Sequence, residues 1–379
     1  MIMRILMLET GGWGGICHYS YNLCQALAQA GASVQLLTAE PYELKDQPHN
    51  FEVATRFNAH TPYSKQIHQV IETYRSYRPD IVHVQSTFSA RKDWLILGLC
   101  RLLNIPIIYT AHNVLPHDAS EKNARGMKWA YGKLYHYAKH IIAHSNDSRE
   151  SIIQLFSPPP QKISIIPHGN YVFAESDTPR TKTDSKKYLG LQNDIRYLLA
   201  FGTIRPYKGT EDLLEAFAHI APNILNVNLL IAGKPIGQAP EDLVAYIHKL
   251  NLQDRVVFRP DYIDLKDIVH YFEACDIAVY PYHAIYQSGA LQLAYAFARP
   301  VIATAVGAFP ETVDKGQNGL LVSPRNPREL AQALSEMLSY SSEKLNAMGK
   351  HSRHLADTRY AWPSVAQKTI DLYQHLIQK

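Results

Sequence analysis

At residues 201–209 the chain reads FGTIRPYKG. The apolar run at 197–200 before it is typical of a buried strand, and the apolar residues within 213–217 recur at helical spacing. The stretch therefore joins a strand to a helix at the carboxyl edge of a predicted parallel sheet, where doubly wound folds bind their ligands. Two cations there, Arg205 and Lys208, suit a phosphorylated ligand beside a helix N-terminus, with solvated loop charges as the alternative.

The composition is that of a globular protein of two domains. The chain has 379 residues, of which 46% are hydrophobic and 19% charged. Its net charge of +4 lacks the basic excess of nucleic-acid-binding proteins, so no nucleic acid partner is predicted. Four scattered cysteines indicate a reducing compartment. The apolar start is too short for a signal peptide, and no membrane span is predicted, so we expect a cytoplasmic protein.

The amino-terminal half opens with a strand, a glycine-rich turn, a helix and a second strand, at residues 4–9, 11–15, 17–30 and 33–38. This order is Rossmann-like, but the Gly-Gly-x-Gly-Gly spacing is not the dinucleotide fingerprint. The turn is either a tight turn that needs positive φ or a backbone that a ligand approaches closely. Later strands are predicted at 80–84, 106–110, 140–144 and 163–166, and helices at 62–77, 94–103, 122–139 and from Asp147.

A polar segment without periodicity, 172–195, is predicted to link a first domain, 1–171, to a second domain, 196–360. The second domain repeats the alternation of strand and helix. Its strands are predicted near Leu198, Leu229, Val256, Ile277, Val301 and Leu320. The predicted fold class is α/β, with two Rossmann-like doubly wound domains facing across a cleft that is the expected ligand site.

A second motif in the same domain, residues 280–295, reads YPYHAIYQSGALQLAY. Ser288 is a suitable N-cap for the helix that follows. Gly289 and Ala290 have little bulk, so the first N–H groups of the helix would be open to an anion. An ordinary capped helix start is the alternative. Because the same layout occurs at 201–209, we expect one phosphate site built from both.

Further candidates lie at strand ends. Lys234 follows a strand on the same sheet edge, where it either binds ligand or is solvated. His112 follows a first-domain strand and would face the cleft, unless it is an ordinary core or surface histidine. His18 lies in the first turn of the helix after the glycine-rich turn, and His168 lies just after the last strand of the domain. His83 lies mid-strand and is predicted to be structural. No metal motif, Walker loop or nucleophile elbow occurs, so cations would neutralise the leaving phosphates in place of a metal.

Together these motifs resemble the retaining GT-B glycosyltransferases of family 4 (glycosyl transferases group 1), which use nucleotide sugars. The resemblance covers most of the chain. It is carried by residues 11–15, by IPHGN at 166–170, by 202–209, 230–234 and 281–282, and by AFARPVIAT at 296–304 with Gly307, Pro310 and Glu311.

The resemblance implies a metal-independent hexosyltransferase that moves a sugar from a nucleoside diphosphate sugar to a glycan or lipid-linked acceptor in polysaccharide or glycolipid biosynthesis. The anomeric configuration would be retained, and the leaving phosphate would help to deprotonate the acceptor hydroxyl. The nucleotide sugar would be a co-substrate, with no further cofactor. Residues 361–379 would form a helix that crosses back to the first domain.

The resemblance also implies roles for single residues. Arg205 and Lys208 would hold the diphosphate and stabilise it as it leaves, and His112 would lie near the donor sugar; these are the catalytic candidates. The donor-binding candidates are Gly14, Gly15, Gly202, Lys234, Ser288, Gly289, Ala290 and Gln292.

Two features depart from the family pattern. Many relatives carry a pair of glutamates for the donor sugar and the ribose, and those positions are Ile285 and Leu293 here. Gln292, Gln287 or backbone groups would have to replace them. Many relatives also place an arginine directly after the first glycine of the 202–209 motif, where this chain has Thr203.

The helix predicted at 122–140 interleaves basic and aromatic residues. That pattern suits contact with the anionic inner face of a membrane, which would make the protein peripheral there. An amphipathic helix with a solvated basic face is the alternative.

Two rival functions remain open. One is a GT-B sugar phosphorylase or nucleotide-sugar epimerase. The other is a non-catalytic GT-B subunit that binds a sugar or a partner, which the missing glutamates favour and the diphosphate site disfavours.

Overall fold

The computed structural model describes residues 2–58, 60–87, 93, 97–98, 101, 105–115, 121–172 and 180–378, with the backbone alone at 121–124. The chain divides into two compact units. Unit 1 comprises Met1–Gly169 and Tyr360–Lys379, and unit 2 comprises Asn170–Arg359. The helix predicted at 94–103 lies almost wholly outside the described residues.

Unit 1 is built on a parallel sheet, and within its described part the strand order is β3-β2-β1-β4-β5-β6-β7. Strands β4, β5 and β6 are buried along their whole length, as expected for a sheet covered on both faces. The strands are β1 (Arg4–Leu8), β2 (Ser33–Ala39), β3 (Glu52–Phe57), β4 (Ile81–Val84), β5 (Ile107–Thr110), β6 (His140–Ala143) and β7 (Ile163–Ile165). The helices are α1 (Gly14–Gln29), α2 (Tyr63–Tyr77), α3 (Glu121–Tyr137) and α4 (Asn146–Phe156).

Strand β3 has no counterpart in the sequence-based prediction. It lies at the edge of the sheet and pairs with β2 alone among the described strands. Its residues Glu52, Thr55 and Arg56 are exposed, so no apolar run marks it.

Unit 2 carries the second parallel sheet, in the order β10-β9-β8-β11-β12-β13 over its described residues. All six strands predicted for this half are present. The strands are β8 (Arg196–Phe201), β9 (Val227–Ala232), β10 (Val256–Arg259), β11 (Ile277–Tyr280), β12 (Val301–Thr304) and β13 (Gly319–Val322). The helices are α5 (Lys182–Tyr188), α6 (Thr210–Ile220), α7 (Pro240–Lys249), α8 (Leu265–Ala274), α9 (Gly289–Ala296), α10 (Phe309–Thr312), α11 (Pro327–Leu338) and α12 (Ser342–Asp357).

The segment predicted as a linker, 172–195, belongs to unit 2 where it is described, which corrects that boundary. Helix α5 begins with a capping box between Thr181 and Asp184, and the Tyr188 ring stacks at 3.7 Å on His270 of α8. Polar contacts also hold this helix, including the ion pair of Lys182 with Asp276 and the hydrogen bond of the Tyr188 hydroxyl to Asp267. The helix has no apolar stripe, so the segment resembles a linker in sequence. Residues 173–179 lie outside the described part.

The last helix, α13 (Trp362–Ile377), returns to unit 1 and packs on α1, as the family resemblance implied. The Tyr373 hydroxyl on α13 is 2.5 Å from Nδ1 of His83 on β4, which confirms that His83 is a core residue. Among the described residues, no helix is both long and apolar enough to span a bilayer.

Candidate functional site

Lys208 lies in a rigid turn after β8. Residues Pro206–Lys208 form a single 3-10 turn, and Gly209, at φ 65°, begins α6. The Lys208 ammonium is 3.5 Å from Thr203 Oγ1 and 5.2 Å from the centre of the Tyr282 ring. None of the described carboxylates forms an ion pair with it. A half-buried cation thus lies at the carboxyl edge of the sheet without a counter-ion in the described part of the chain.

The environment of Lys208 lowers the pKa of its side chain. Burial, and then the nearby charge of Arg205, lower the pKa of Lys208 to about 8. The side chain is therefore mostly charged at pH 7, at a cost that a bound anion would offset.

Helix α9 begins beside this turn. A Cβ atom at Gly202 would lie 3.5 Å from Lys208 Nζ and 3.8 Å from Ala290 Cβ, so the lysine and the first turn of α9 border the same glycine. Ser288 caps the helix as predicted and accepts the Leu291 N–H at 3.3 Å. The structure thus brings together Gly202, Lys208 and Ala290, at the positive end of a helix dipole.

Two tyrosines that the sequence analysis leaves out of the site flank the start of α9. A Cβ at Gly289 would lie 2.8 Å from the Tyr171 hydroxyl, so a larger residue there would displace Tyr171. Burial raises the pKa of Tyr282, and the neighbouring Ser288 side chain opposes the rise. The Tyr282 hydroxyl is buried without a hydrogen-bond partner among the described residues, and its ring lies next to Lys208.

Gln292 lies one turn into α9, and its side chain is fully buried. Neither its amide oxygen nor its amide nitrogen has a hydrogen-bond partner among the described residues. Such an amide costs about 1–3 kcal/mol in a protein interior. A buried group kept at that cost commonly serves a ligand or an ordered water.

The other two predicted cations lie at the rim of this site. Arg205 is half-buried at the start of the 3-10 turn, and the Lys234 side chain is exposed. Two backbone hydrogen bonds join the loop of Lys234 to the Gly202 turn. The Ile204 N–H donates to Lys234 O at 2.9 Å, and the Gly202 N–H donates to Ala232 O at 2.9 Å.

The two positions that hold glutamates in many relatives contribute to the core here. Ile285 is 9% exposed and Leu293 is 5% exposed. Gly307 packs so closely on Ile285 that a Cβ there would lie 1.7 Å from the Ile285 carbonyl oxygen. Neither side chain carries a polar atom.

Two carboxylates accept hydrogen bonds from the backbone N–H groups of the glycine-rich turn in unit 1. Glu9, which is 2% exposed, accepts the N–H groups of Gly11–Gly12 at 2.7 and 2.8 Å. Glu43 accepts the Gly14 N–H at 2.8 Å and lies 3.1 Å from His18 Nε2. These amides, which the sequence analysis leaves open to a ligand, are therefore already paired with anions of the protein itself.

A chain of hydrogen-bonded side chains crosses the carboxyl edge of the unit 1 sheet. His144 Nδ1 is 2.9 Å from the Ile166 carbonyl, which only accepts, so neutral His144 carries its proton there. His144 Nε2 is 3.2 Å from His112 Nδ1, and His112 Nε2 is 2.9 Å from Gln85 Oε1, an amide oxygen that only accepts. Neutral His112 carries one proton, so His144 and Gln85 compete for it.

Tyr19 of α1 packs at the centre of this group. Its ring centre is 4.7 Å from that of His112, 5.2 Å from that of His144 and 5.0 Å from that of His168. Burial, and then His144, hold the pKa of His112 well below its usual value. Burial also lowers the pKa of His144 to about 3 and that of His168 to about 4, so all three are neutral at pH 7.

We expect acid to destabilise unit 1 through these histidines. The unfolded chain binds a proton near pH 6.5 that buried His168 does not bind until about pH 4, so stability falls as the pH drops through that interval. Between pH 7.5 and 5, the unfolding free energy should fall by roughly 2 kcal/mol through His168. Urea unfolding against pH should show a smaller pH slope for His168→Gln than for the wild type. The exposed His68→Gln is the control; equal slopes in all three chains would contradict the expectation.

The residues missed by sequence reasoning share a recognisable position. Gln85 and His144 directly follow β4 and β6, as His112 and His168 follow β5 and β7 by a few residues. A systematic reading of the polar residues at the end of each predicted strand and directly after it would have found them. Glu43 and Tyr171 carry no such signal. Within the described residues, no group of three or more His, Cys, Asp or Glu is arranged to hold a metal ion.

Both units match models of known families. Residues 13–170 match the model described as Glycosyltransferase Family 4, and residues 195–340 match the model described as Glycosyl transferases group 1. The chain belongs to the group 1, family 4 glycosyltransferases. The family predicted from the sequence motifs is thus confirmed.

Curated relatives of this glycosyltransferase are similar over nearly its whole length. The D-inositol 3-phosphate glycosyltransferase of Segniliparus rotundus is 24% identical, over 98% of this chain and 88% of that protein. The protein of the same name from Xylanimonas cellulosilytica is 25% identical, over 96% of this chain and 92% of that protein.

Solved structures share its fold. HepE of Anabaena, in complex with UDP and glucose, matches with a TM-score of 0.81 at 20% identity, over 98% of this chain and 100% of that one. Sucrose-phosphate synthase of Thermosynechococcus elongatus matches with a TM-score of 0.80 at 22% identity, over 99% of each chain. The predicted GT-B fold, with two parallel-sheet α/β domains, is confirmed.

Proposed function

We propose that this glycosyltransferase moves a hexose from a nucleoside diphosphate sugar to a glycan or lipid-linked acceptor, with retention of the anomeric configuration and without a metal or further cofactor. The observation that carries the proposal is the convergence of Lys208 Nζ, Gly202 and Ala290 at the start of α9. Among the described residues, the Lys208 ammonium has no counter-ion. It lies beside a helix N-terminus and next to a glycine, where no side chain blocks the backbone, and this arrangement suits a diphosphate.

In this proposal, the bond between the sugar anomeric carbon and the β-phosphate oxygen breaks while the acceptor oxygen bonds to that carbon. The acceptor proton passes to the leaving phosphate. Lys208, with Arg205 as a second cation, stabilises the charge that develops on the phosphate, and the first N–H groups of α9 add to it. Lys234 contributes at the rim, and the Gln292 amide makes the polar contact that a carboxylate makes in many relatives.

Unit 1 contributes neutral groups to the same proposal. Because His112 is uncharged, it offers the sugar a polar contact without a charge. Gly15 approaches the donor phosphate or the acceptor. The Gly14 N–H can contact the donor phosphate or the acceptor only once its hydrogen bond to Glu43 is broken.

The comparisons support a nucleotide sugar as donor. Structures of HepE contain UDP and UDP-glucose, so uridine is the first base to test. The names of the curated relatives add an inositol phosphate to the acceptors worth testing beside glycans and lipid-linked sugars.

We expect one nucleoside diphosphate to stabilise the protein. At one hundred times its dissociation constant, a ligand adds about 2.7 kcal/mol of stability, or roughly 5–10 °C in Tm for a unit of this size. UDP, GDP, ADP and dTDP should be compared by thermal shift in the wild type, in Lys208→Ala and in Lys187→Ala, an exposed lysine on α5. A shift that Lys208→Ala loses and Lys187→Ala keeps supports the donor site. No shift with any nucleotide would put the non-catalytic alternative first.

The two enzymatic alternatives differ from a transferase in the acceptor that the reaction requires. A phosphorylase needs inorganic phosphate as acceptor, and an epimerase needs no acceptor. Dependence of sugar release on added phosphate, or conversion of the donor alone, would therefore replace the transferase proposal.

We also place the protein at the inner face of a membrane, as a peripheral cytoplasmic enzyme that contacts anionic lipid through α3. Trp129 is 53% exposed with the Lys133 ammonium 5.8 Å from its ring centre, whereas Leu134 and Tyr135 of the same helix are core residues. Vesicles with phosphatidylglycerol should co-sediment the wild type more strongly than Trp129→Ser. Equal sedimentation with neutral vesicles would contradict lipid selectivity.

A further inference from the structure

A cavity of about 630 Å³ opens at the amino edge of the unit 1 sheet, the edge opposite to the one that carries His112. Its walls come from the segments that enter β5, β6 and β7 and from the end of α3. Four of its lining residues carry basic side chains, and none is Asp or Glu. These residues, here named the amino-edge cluster, are Arg101, His136, Lys139 and Lys162.

The cluster is held by backbone carbonyls at two helix ends. Lys162 Nζ donates to Tyr135 O at 2.8 Å and to His136 O at 2.6 Å, and Arg101 Nη1 donates to His136 O at 3.3 Å, all at the end of α3. Lys139 Nζ donates to Leu376 O at 2.7 Å, near the end of α13. The side chains are thus positioned over the cavity.

The carbonyl groups at the two helix ends do not neutralise the positive charge of the amino-edge cluster. The carboxyl end of a helix carries about half a negative charge, so the two ends supply about one against three formal positive charges. Among the described residues, no carboxylate pairs with Arg101, Lys139 or Lys162. Burial, and then Arg101, lower the pKa of Lys162 to about 8. Burial, followed by Arg101 and Lys162, also lowers the pKa of His136.

Unused donors remain after the carbonyls are satisfied. An ammonium has three hydrogens, so Lys162 keeps one and Lys139 keeps two, and the guanidinium of Arg101 keeps most of its five. Guanidinium and ammonium groups together are the usual partners of phosphate oxygens. The cavity exceeds the size of a phosphate, so the phosphate would be one part of a larger ligand.

We propose that the amino-edge cluster binds a phosphate group of a phosphorylated ligand, at a site separate from the donor site around Lys208. This inference goes beyond the proposed transfer reaction and does not depend on it. The phosphate is either that of an anionic lipid headgroup or that of a soluble phosphorylated compound, and the experiment separates these sources.

The test uses the full chain carrying Lys208→Ala, so that the donor site is weakened. Inorganic pyrophosphate is titrated into it by calorimetry, alone and with Arg101→Gln and Lys139→Gln added. These two side chains are exposed, so the fold should persist, which circular dichroism checks. We expect the added pair to weaken binding by at least about tenfold. Lys65→Gln, an exposed lysine on α2, should change nothing. No binding, or binding that the pair leaves unchanged, overturns the site.

Two further measurements locate the site and name the source. Bound pyrophosphate should raise the pKa of His136 in NMR titrations, with His136→Gln assigning the signal; an unmoved pKa places the anion elsewhere and overturns the proposal. Vesicles with and without phosphatidylglycerol are then compared in flotation. Binding to the anionic vesicles that Arg101→Gln with Lys139→Gln abolishes supports a lipid headgroup. Pyrophosphate binding without vesicle binding supports a soluble ligand.

Discussion

Replacing Lys208 by alanine is expected to lower the turnover of sugar transfer by roughly 10²–10³-fold, the loss found when one preorganised donor to a developing charge is removed. Its ammonium has no carboxylate partner among the described residues, and it lies 3.5 Å from the place where a Gly202 side chain would begin. The assay is release of the nucleoside diphosphate from the donor identified by thermal shift. Lys187→Ala should keep full turnover, and Lys234→Ala should lose less because its side chain is exposed.

The pH profile tests the same residue without removing its charge. Lys208 acts as a cation, so kcat/KM should be retained below a pH of about 8 and should fall as the free enzyme loses that proton above it. Lys208→Arg keeps the charge at all these pH values and should lose the alkaline fall. A wild-type profile that stays flat to pH 9.5, or full turnover in Lys208→Ala, would remove Lys208 from the mechanism.

Gly209→Ala is expected to destabilise unit 2 by roughly 3 kcal/mol and to abolish nucleotide binding. The residue has φ 65°, and an added Cβ would lie 2.0 Å from the Pro281 carbonyl oxygen and 3.1 Å from His283 Nε2. Relief of that overlap must separate the Lys208 turn from the end of β11. Urea unfolding and the nucleotide thermal shift measure the two effects.

The chain offers a matched control for this change. Gly190 has φ 66°, but an added Cβ there meets nothing within 4 Å. Gly190→Ala therefore reports the left-handed backbone strain alone, about 1–2 kcal/mol, and should leave nucleotide binding intact. Equal destabilisation by Gly209→Ala and Gly190→Ala would show that the contact with Pro281 is unimportant.

The fold was largely predictable because it depends on short-range patterns. Each strand of unit 2 is an apolar run followed by a loop and an amphipathic helix, and all six were located from that pattern. Strand β3 and helix α5 were missed because an exposed edge strand and a helix made by a capping box carry little hydrophobic signal.

The sheet edge of the proposed donor site was predictable for a related reason. In a parallel sheet every strand carries its following loop to the same edge, and because β8 and β11 are neighbours in the folded sheet, Gly202–Lys208 and Ser288–Ala290 lie close together. Tyr171 limits the space at Gly289, but it lies far from α9 in the sequence and carries no motif. Only the tertiary structure shows that the two residues are in contact.

The sequence by itself determined the family, the two doubly wound domains and the sheet edge that carries the site, because hydrophobic periodicity and strand-end loops are local properties of the chain. The tertiary structure alone decided which polar groups are already satisfied. Glu43 takes the Gly14 N–H, His112 is neutral and hydrogen-bonded to Gln85, and the Gln292 amide has no partner in the described part of the chain. Hydrogen bonds and burial of this kind join residues far apart in sequence, so their balance arises only when the chain is folded.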